Sequence, residues 1–138
     1  MCEEGRPDDN AFGIRVLSGR FADAYLQRAS IQRGYVVVIW RGRHVVEPTE
    51  LRDDEATSFW RDVLTTGRAV QAIYEPLKMN YVLAGNTLPH LHAHVVPRYE
   101  NRDPNPGNPF PFPKDLPPPF PEDELQGEAE ALRTFLRA

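Results

Sequence analysis

The chain has 138 residues, a net charge of −4 and an apolar fraction of 41%. This length fits one domain with a real core, and the acidic balance excludes the broad basic surface that grips nucleic acid non-specifically. No apolar run approaches the roughly 18 residues that cross a bilayer, and the acidic, polar start is unlike a signal peptide. The single cysteine, Cys2, cannot form an internal disulfide. We therefore expect a cytoplasmic protein that binds neither nucleic acid nor a membrane.

The first third of the chain predicts three strands after a polar, irregular start at 1–11. Two strands are expected at 13–18 and 21–28, joined by a turn signal, Ser-Gly-Arg. The third, at 35–40, reads Tyr-Val-Val-Val-Ile-Trp. Such an apolar, β-branched run is typical of a buried strand.

The middle of the chain predicts one long helix followed by two more strands. Acidic residues from Asp53 favour a helix start, and the helix is expected to run to Tyr74, before a proline. Its apolar residues recur near helical spacing, which predicts packing on the sheet. Strands at 78–84 and 90–97 complete an antiparallel sheet of about five strands, so the fold class is α+β.

Proline recurs from Asp103 to Pro121, in a segment that we call the arm. Proline at this density suits neither a helix nor a sheet. The arm is either a ligand for a proline-recognising domain or a strap held by Phe110, Phe112 and Phe120, and we favour the strap because aromatic rings gain from burial. A short amphipathic helix is predicted at 122–137.

Three of the four histidines alternate at His90, His92 and His94, and we call them the histidine row. Side chains of a strand alternate between faces, so the three imidazoles are expected on one face, about 6.6 Å apart. Imidazole can act as a nucleophile, an acid or base, or a metal ligand.

Three interpretations of the histidine row are open. The first is an exposed row without chemistry, and the second is a zinc site, although residues 80–99 supply no Asp or Cys. The third is nucleophilic catalysis by one imidazole. We favour the third, because Asn80, Asn86 and Thr87 supply neutral groups that can bind phosphate or sugar oxygens.

The run His-Leu-His-Ala-His-Val-Val at 90–96 resembles the signature of the histidine-triad (HIT) family of nucleotide hydrolases and transferases. Asn86 and Thr87 occupy the places where members carry Gln or Asn and then Ser or Thr. The resemblance covers about residues 12–105 and implies a HIT-like fold. Together with the length, it predicts a single domain, 1–138, with its core at about 12–105 and a proline-rich extension at 103–138.

The resemblance implies a covalent mechanism centred on His92. This histidine would attack the α-phosphorus of a nucleoside phosphate and form a nucleotidyl-histidine, which water would then hydrolyse. His94 would contact the phosphate and the leaving-group bridge, while His90 would orient the row through His44. Asn86 would share in catalysis with the histidines.

The resemblance also implies a binding site for the rest of the nucleotide. Tyr25 falls where a residue flanks the base, and Gln27 falls where many members bind ribose through Asp or Asn. Asn80, Thr87 and His44 would complete the substrate contacts. No cofactor and no metal are expected to be required.

Several functional classes remain open under this resemblance. The preferred one is a hydrolase of dinucleoside polyphosphates, phosphoramidates or mixed anhydrides. The alternatives are a nucleotidyltransferase to another acceptor, a metal-binding hydrolase that uses the histidine row, and a non-catalytic nucleotide-binding protein. The family resemblance further implies a homodimer in which two sheets join edge to edge.

Overall fold

The computed structural model describes residues 5–101, 103, 106–109 and 112–137. Its strands are β1 (Gly13–Ser18), β2 (Ala22–Gln27), β3 (Val36–Trp40), β4 (Lys78–Val82) and β5 (His92–Arg98). Its helices are α1 (Asp53–Tyr74) and α2 (Glu122–Arg137), with a short 3₁₀ turn at Pro48–Glu50. Within the described ranges, neither helix is long and apolar enough to cross a membrane.

The five strands form one sheet in the order β1-β2-β3-β5-β4, and every neighbouring pair is antiparallel. This confirms the predicted α+β class with an antiparallel sheet and a long helix. β5 begins at His92 rather than at residue 90, because its partner β3 ends at Trp40, opposite Leu91. His90 therefore lies just before the strand, and only two members of the histidine row alternate within it.

One face of the sheet, the core face, packs against both helices. Alternate strand residues such as Leu26, Val38 and Val95 point to this face and are at most 1% exposed. From the helices, the main buried apolar contributions are Phe59, Val63, Val70, Leu125, Ala129 and Leu132. The C-terminal helix is thus part of the same core as α1.

The opposite face, which we call the pocket face, has a smaller apolar cluster. Its buried members are Tyr25, Tyr35, Val37, Ile39 and Val96. These alternate along the strands with the residues of the core face, as the period of two requires.

The described part of the arm lies against its own chain. Pro119 bridges to Ala29 and the Phe120 amide donates to the Arg28 carbonyl, 2.9 Å away. Phe120 packs on the main core, while Phe112 reaches the pocket face. Phe110, the third aromatic predicted to hold the arm, lies outside the described residues.

Candidate active site

A cavity of about 300 Å³ opens on the pocket face, and we call it the histidine pocket. Its lining consists of Asn10, Phe12, Tyr25, Gln27, Tyr35, Val37, Ile39, Leu88, His92 and His94. The strands β2, β3 and β5 form its floor. A cavity of this size with an apolar floor and a few polar groups is typical of a small-molecule site.

His92 is held in one tautomer by the backbone. Its Nδ1–H donates to the carbonyl oxygen of His90, 2.6 Å away, so Nε2 carries the lone pair. His92 is 7% exposed and lines the histidine pocket, and its Nε2 makes no hydrogen bond to the described residues. A buried imidazole with a fixed Nδ1–H and an accessible Nε2 lone pair is prepared for nucleophilic attack.

His90 stands behind His92 rather than in the pocket. Its Nε2–H donates to the carbonyl oxygen of Trp40 at 2.6 Å, which ties the start of β5 to the end of β3. Burial lowers the pKa of His90. The ring of His44, on the exposed loop after β3, lies edge-on with its centroid 5.7 Å from that of His90.

His94 lines the pocket beside His92, with ring centroids 4.9 Å apart at an interplanar angle of 78°. Its Nδ1 lies 2.6 Å from the hydroxyl of Tyr35. Burial, together with the neighbouring His92, lowers the pKa of His94 to about 4. His94 is therefore neutral at physiological pH.

Tyr25 and Gln27, the residues predicted to contact the nucleoside, both line the pocket from β2. The Gln27 amide donates to the Tyr25 carbonyl oxygen at 3.0 Å, and the Tyr25 hydroxyl donates to the Pro7 carbonyl oxygen at 2.7 Å. The structure thus brings these two side chains together with His92 and His94.

Three other predicted site residues lie outside the pocket lining. Asn86 and Thr87 are exposed on the loop between β4 and β5, although Leu88 of the same loop lines the pocket. Asn80 accepts a hydrogen bond from Arg98 at 3.0 Å and lines a wider, open hollow of about 600 Å³ along β4. That hollow contains none of the histidines, so the smaller pocket is the better candidate site.

A buried ion-pair network borders Tyr25 on the pocket face. Asp23 is fully buried and accepts hydrogen bonds from Arg6 at 2.7 Å and from Arg41 at 3.3 Å. Burial by itself would raise the pKa of Asp23, but the hydrogen bond from Arg6 holds it below its ordinary value. The network fixes the chain around Tyr25, whose hydroxyl also accepts a bond from Arg41 at 3.3 Å.

Sequence reasoning missed Asn10, Phe12 and Tyr35 as lining residues of the pocket, and it did not place Phe112 against His94. Tyr35 has a signal in the sequence, because it alternates with Val37 and its neighbours on the pocket face. The other three have none, since they lie in segments without periodicity and reach the pocket through tertiary contacts.

The chain belongs to the histidine-triad (HIT) family, because the family model described as "HIT domain" matches residues 20–101, which is more than half of the chain. It is 28% identical over 85 residues to "Protein hit" of Bacillus subtilis, a match that spans 58% of each chain. A histidine triad protein of Marinobacter aquaeolei VT8 has a similar structure, with a TM-score of 0.80 and 22% identity over 92% of this chain and 90% of that one. A histidine triad protein of Sinorhizobium meliloti 1021 gives a TM-score of 0.78 and 20% identity over 88% of each chain. These structures share the fold, and the family supports nucleotide binding and chemistry of the hydrolase or transferase kind.

Proposed function

We propose that the protein hydrolyses a nucleoside phosphate at its α-phosphorus through a nucleotidyl-histidine on His92. The observation that carries this proposal is the fixed tautomer of His92, whose Nδ1–H donates to the His90 carbonyl oxygen at 2.6 Å. Its Nε2 lone pair is thereby available in a cavity large enough for a nucleoside.

In the first step, Nε2 of His92 forms a bond to phosphorus while the bond to the leaving group breaks. The electron pair stays on the leaving group, and the imidazole becomes a cation. The His90 carbonyl oxygen, 2.6 Å from Nδ1, stabilises this cation through the same hydrogen bond that set the tautomer. Two easier displacements thus replace one difficult displacement.

In the second step, water attacks the nucleotidyl phosphorus, the bond to Nε2 breaks, and a proton leaves to solvent. His92 returns to its neutral form and the nucleoside monophosphate is released. Tyr25 and Gln27 are proposed to hold the nucleoside, while Asn86, Thr87 and Asn80 are proposed to bind phosphate or sugar oxygens. His94 is proposed to contact the leaving-group bridge.

The proposed substrates are a dinucleoside polyphosphate, a phosphoramidate or a mixed anhydride, and no metal or cofactor is proposed to take part in catalysis. Among the described residues, no group of three or more His, Cys, Asp or Glu side chains is arranged to hold a metal ion. Chelation during assay tests this part of the proposal. Activity that is lost with chelator and restored by zinc would favour the metal-binding alternative.

We also propose a cytoplasmic homodimer that joins at β4. This strand is an edge of the sheet, so one side of it has no strand partner within the described residues. Beside it, Trp60 of α1 and Tyr81 of β4 are 45% and 38% exposed, with ring centroids 6.5 Å apart. An open strand edge next to exposed aromatic rings fits a second copy of the chain.

Substitution of His92 by Ala tests the mechanism. We expect turnover of adenosine and guanosine derivatives to fall by several powers of ten, with nucleotide binding retained, because the variant lacks the nucleophile. Wild type quenched in alkaline denaturant, where the N–P bond is stable, should carry a nucleotidyl group on His92, and water labelled with oxygen-18 should place the label in the released monophosphate. Near-normal turnover by His92→Ala would refute the mechanism. If the nucleotidyl group is instead found on an acceptor other than water, without oxygen-18 from the solvent, the result would favour a transferase.

A further inference from the structure

We propose that Tyr35 is a positioning residue that fixes His94 as the tautomer with its proton on Nε2, directed to the leaving group. The inference rests on the proposed function, because it assigns a use to the hydrogen-bond donor that this tautomer presents. It adds a residue outside the histidine row to the machinery of the site.

The geometry joins Tyr35 and His94 by one short hydrogen bond. The hydroxyl of Tyr35 lies 2.6 Å from Nδ1 of His94, and the tyrosine is only 5% exposed. Within the described residues, neither the hydroxyl nor the imidazole makes a different hydrogen bond. Each group therefore depends on the other for its hydrogen bonding inside the protein.

The direction of this bond follows from burial. If Nδ1–H donated to the phenol oxygen, the buried hydroxyl proton would have no acceptor, at the cost of an unsatisfied buried donor. If the hydroxyl donates to Nδ1, the hydroxyl proton and Nδ1 are both satisfied, and His94, which lines the pocket, carries its proton on Nε2. Burial also raises the pKa of Tyr35, so the phenol keeps its proton at neutral pH.

Phe112 from the arm protects this hydrogen bond from water. Its ring centroid lies 5.0 Å from that of His94 and 5.7 Å from that of Tyr35. Exclusion of water strengthens a hydrogen bond and prevents solvent from replacing one partner. The arm thus contributes directly to the surroundings of His94.

His94 and His92 are consequently opposite tautomers at adjoining positions in one pocket. His92 presents a lone pair on Nε2 for attack, and His94 presents an Nε2–H for donation. Neutral His94 donates a hydrogen bond to the leaving atom without transferring the proton, since transfer would create an imidazolate. Its contribution grows with the negative charge that the leaving atom develops.

The first test measures the tautomers directly by long-range proton–nitrogen NMR correlation of the imidazole rings in the full chain. We expect His94 to have an unprotonated Nδ1 and a protonated Nε2, and His92 to show the reverse. In Tyr35→Phe, the signals of His94 should move toward a mixture of tautomers while those of His92 stay unchanged. A protonated Nδ1 of His94 in the wild type would overturn the proposal, whether or not the variant folds.

The second test varies the leaving group, using aryl esters of adenosine 5′-monophosphate from 4-nitrophenyl to phenyl. We expect Tyr35→Phe to lower kcat/KM about threefold or less for the nitrophenyl ester and about tenfold or more for the phenyl ester. A loss that is equal for all esters would indicate a general structural role and overturn the assignment.

Tyr99→Phe is the matched control. Tyr99 is also buried, at 7% exposure, and its hydroxyl donates to the Arg33 carbonyl oxygen at 2.7 Å, outside the pocket lining. It should lower kcat/KM equally for all esters or not at all. If the wild type cleaves no ester and forms no nucleotidyl-histidine, the proposed function fails, while the NMR measurement still decides the tautomer of His94.

Discussion

The low pKa of His94 predicts a pH dependence of stability that can be removed by one substitution. Burial and the neighbouring His92 lower the pKa of His94 from 6.5 to about 4 in the folded protein. The unfolded chain therefore binds more protons between these values, and the free energy of unfolding falls as the pH drops through that window. The contribution is fully present above pH 6.5 and lost near pH 4.

The size of this effect follows from about 1.36 kcal/mol for each pKa unit. Between pH 7.5 and pH 5, His94 would lower the free energy of unfolding by about 2 kcal/mol. Solvent screening of the partly exposed ring reduces this change to about 1–2 kcal/mol. Urea unfolding of the wild type and His94→Gln at both pH values measures the difference. The variant should lose about 1–2 kcal/mol less than the wild type on acidification.

Tyr99→Phe is a control for general destabilisation, because it loses a buried hydrogen bond but retains all four histidines. Its free energy of unfolding should be lower than that of the wild type at both pH values. The change between the two pH values should be the same as in the wild type. His90, whose pKa is also lowered by burial, is present in every protein compared, and its contribution cancels. If the free energy of unfolding falls by the same amount in the wild type and in His94→Gln between pH 7.5 and pH 5, the reasoning is refuted.

Three further predictions concern the arm, a turn and the assembly. Phe112→Ala should hydrate His94 and raise its pKa from about 4 toward 6.5, and an unchanged NMR titration would contradict this. Gly34→Ala should lower the free energy of unfolding by about 1–2 kcal/mol or more, because Gly34 has φ +83° and an added Cβ would lie 2.8 Å from the Tyr74 ring. A free energy of unfolding in urea within about 0.5 kcal/mol of the wild-type value would be inconsistent with that strain. Trp60→Glu should reduce the mass in light scattering from a dimer to 15.7 kDa, and a wild type that already scatters as a monomer at micromolar concentration would reject the dimer.

The regular elements could be predicted because local patterns specify them. The predicted span of α1, Asp53 to Tyr74, is the observed one, since acidic residues mark its start and apolar periodicity runs along it. The run at 35–40 is equally clear, because six consecutive apolar residues can be buried only where both faces of the sheet are covered. The alternation of His92 and His94 likewise places both rings on one face.

The surroundings of the histidines could not be predicted in the same way. The bond from Tyr35 to His94 joins residues 59 positions apart, and the approach of Phe112 depends on the path of a proline-rich arm without periodicity. The polar start of the chain, at 1–11, predicts irregular structure. Within its described part, the buried carboxylate of Asp23 holds Arg6, and nothing in the local sequence of either residue indicates the other.

The position of α2 has a consequence for the order in which the protein folds. Arg133 of α2 donates to the carbonyl oxygen of Arg15 at 2.8 Å, and Leu132, at 1% exposure, belongs to the main core. During synthesis, β1 and β2 leave the ribosome long before this helix. Part of their apolar surface therefore stays uncovered until α2 has been synthesised. Contacts of such large sequence separation form slowly, so we expect the nascent sheet to be most exposed to chaperones and aggregation before residues 122–137 emerge.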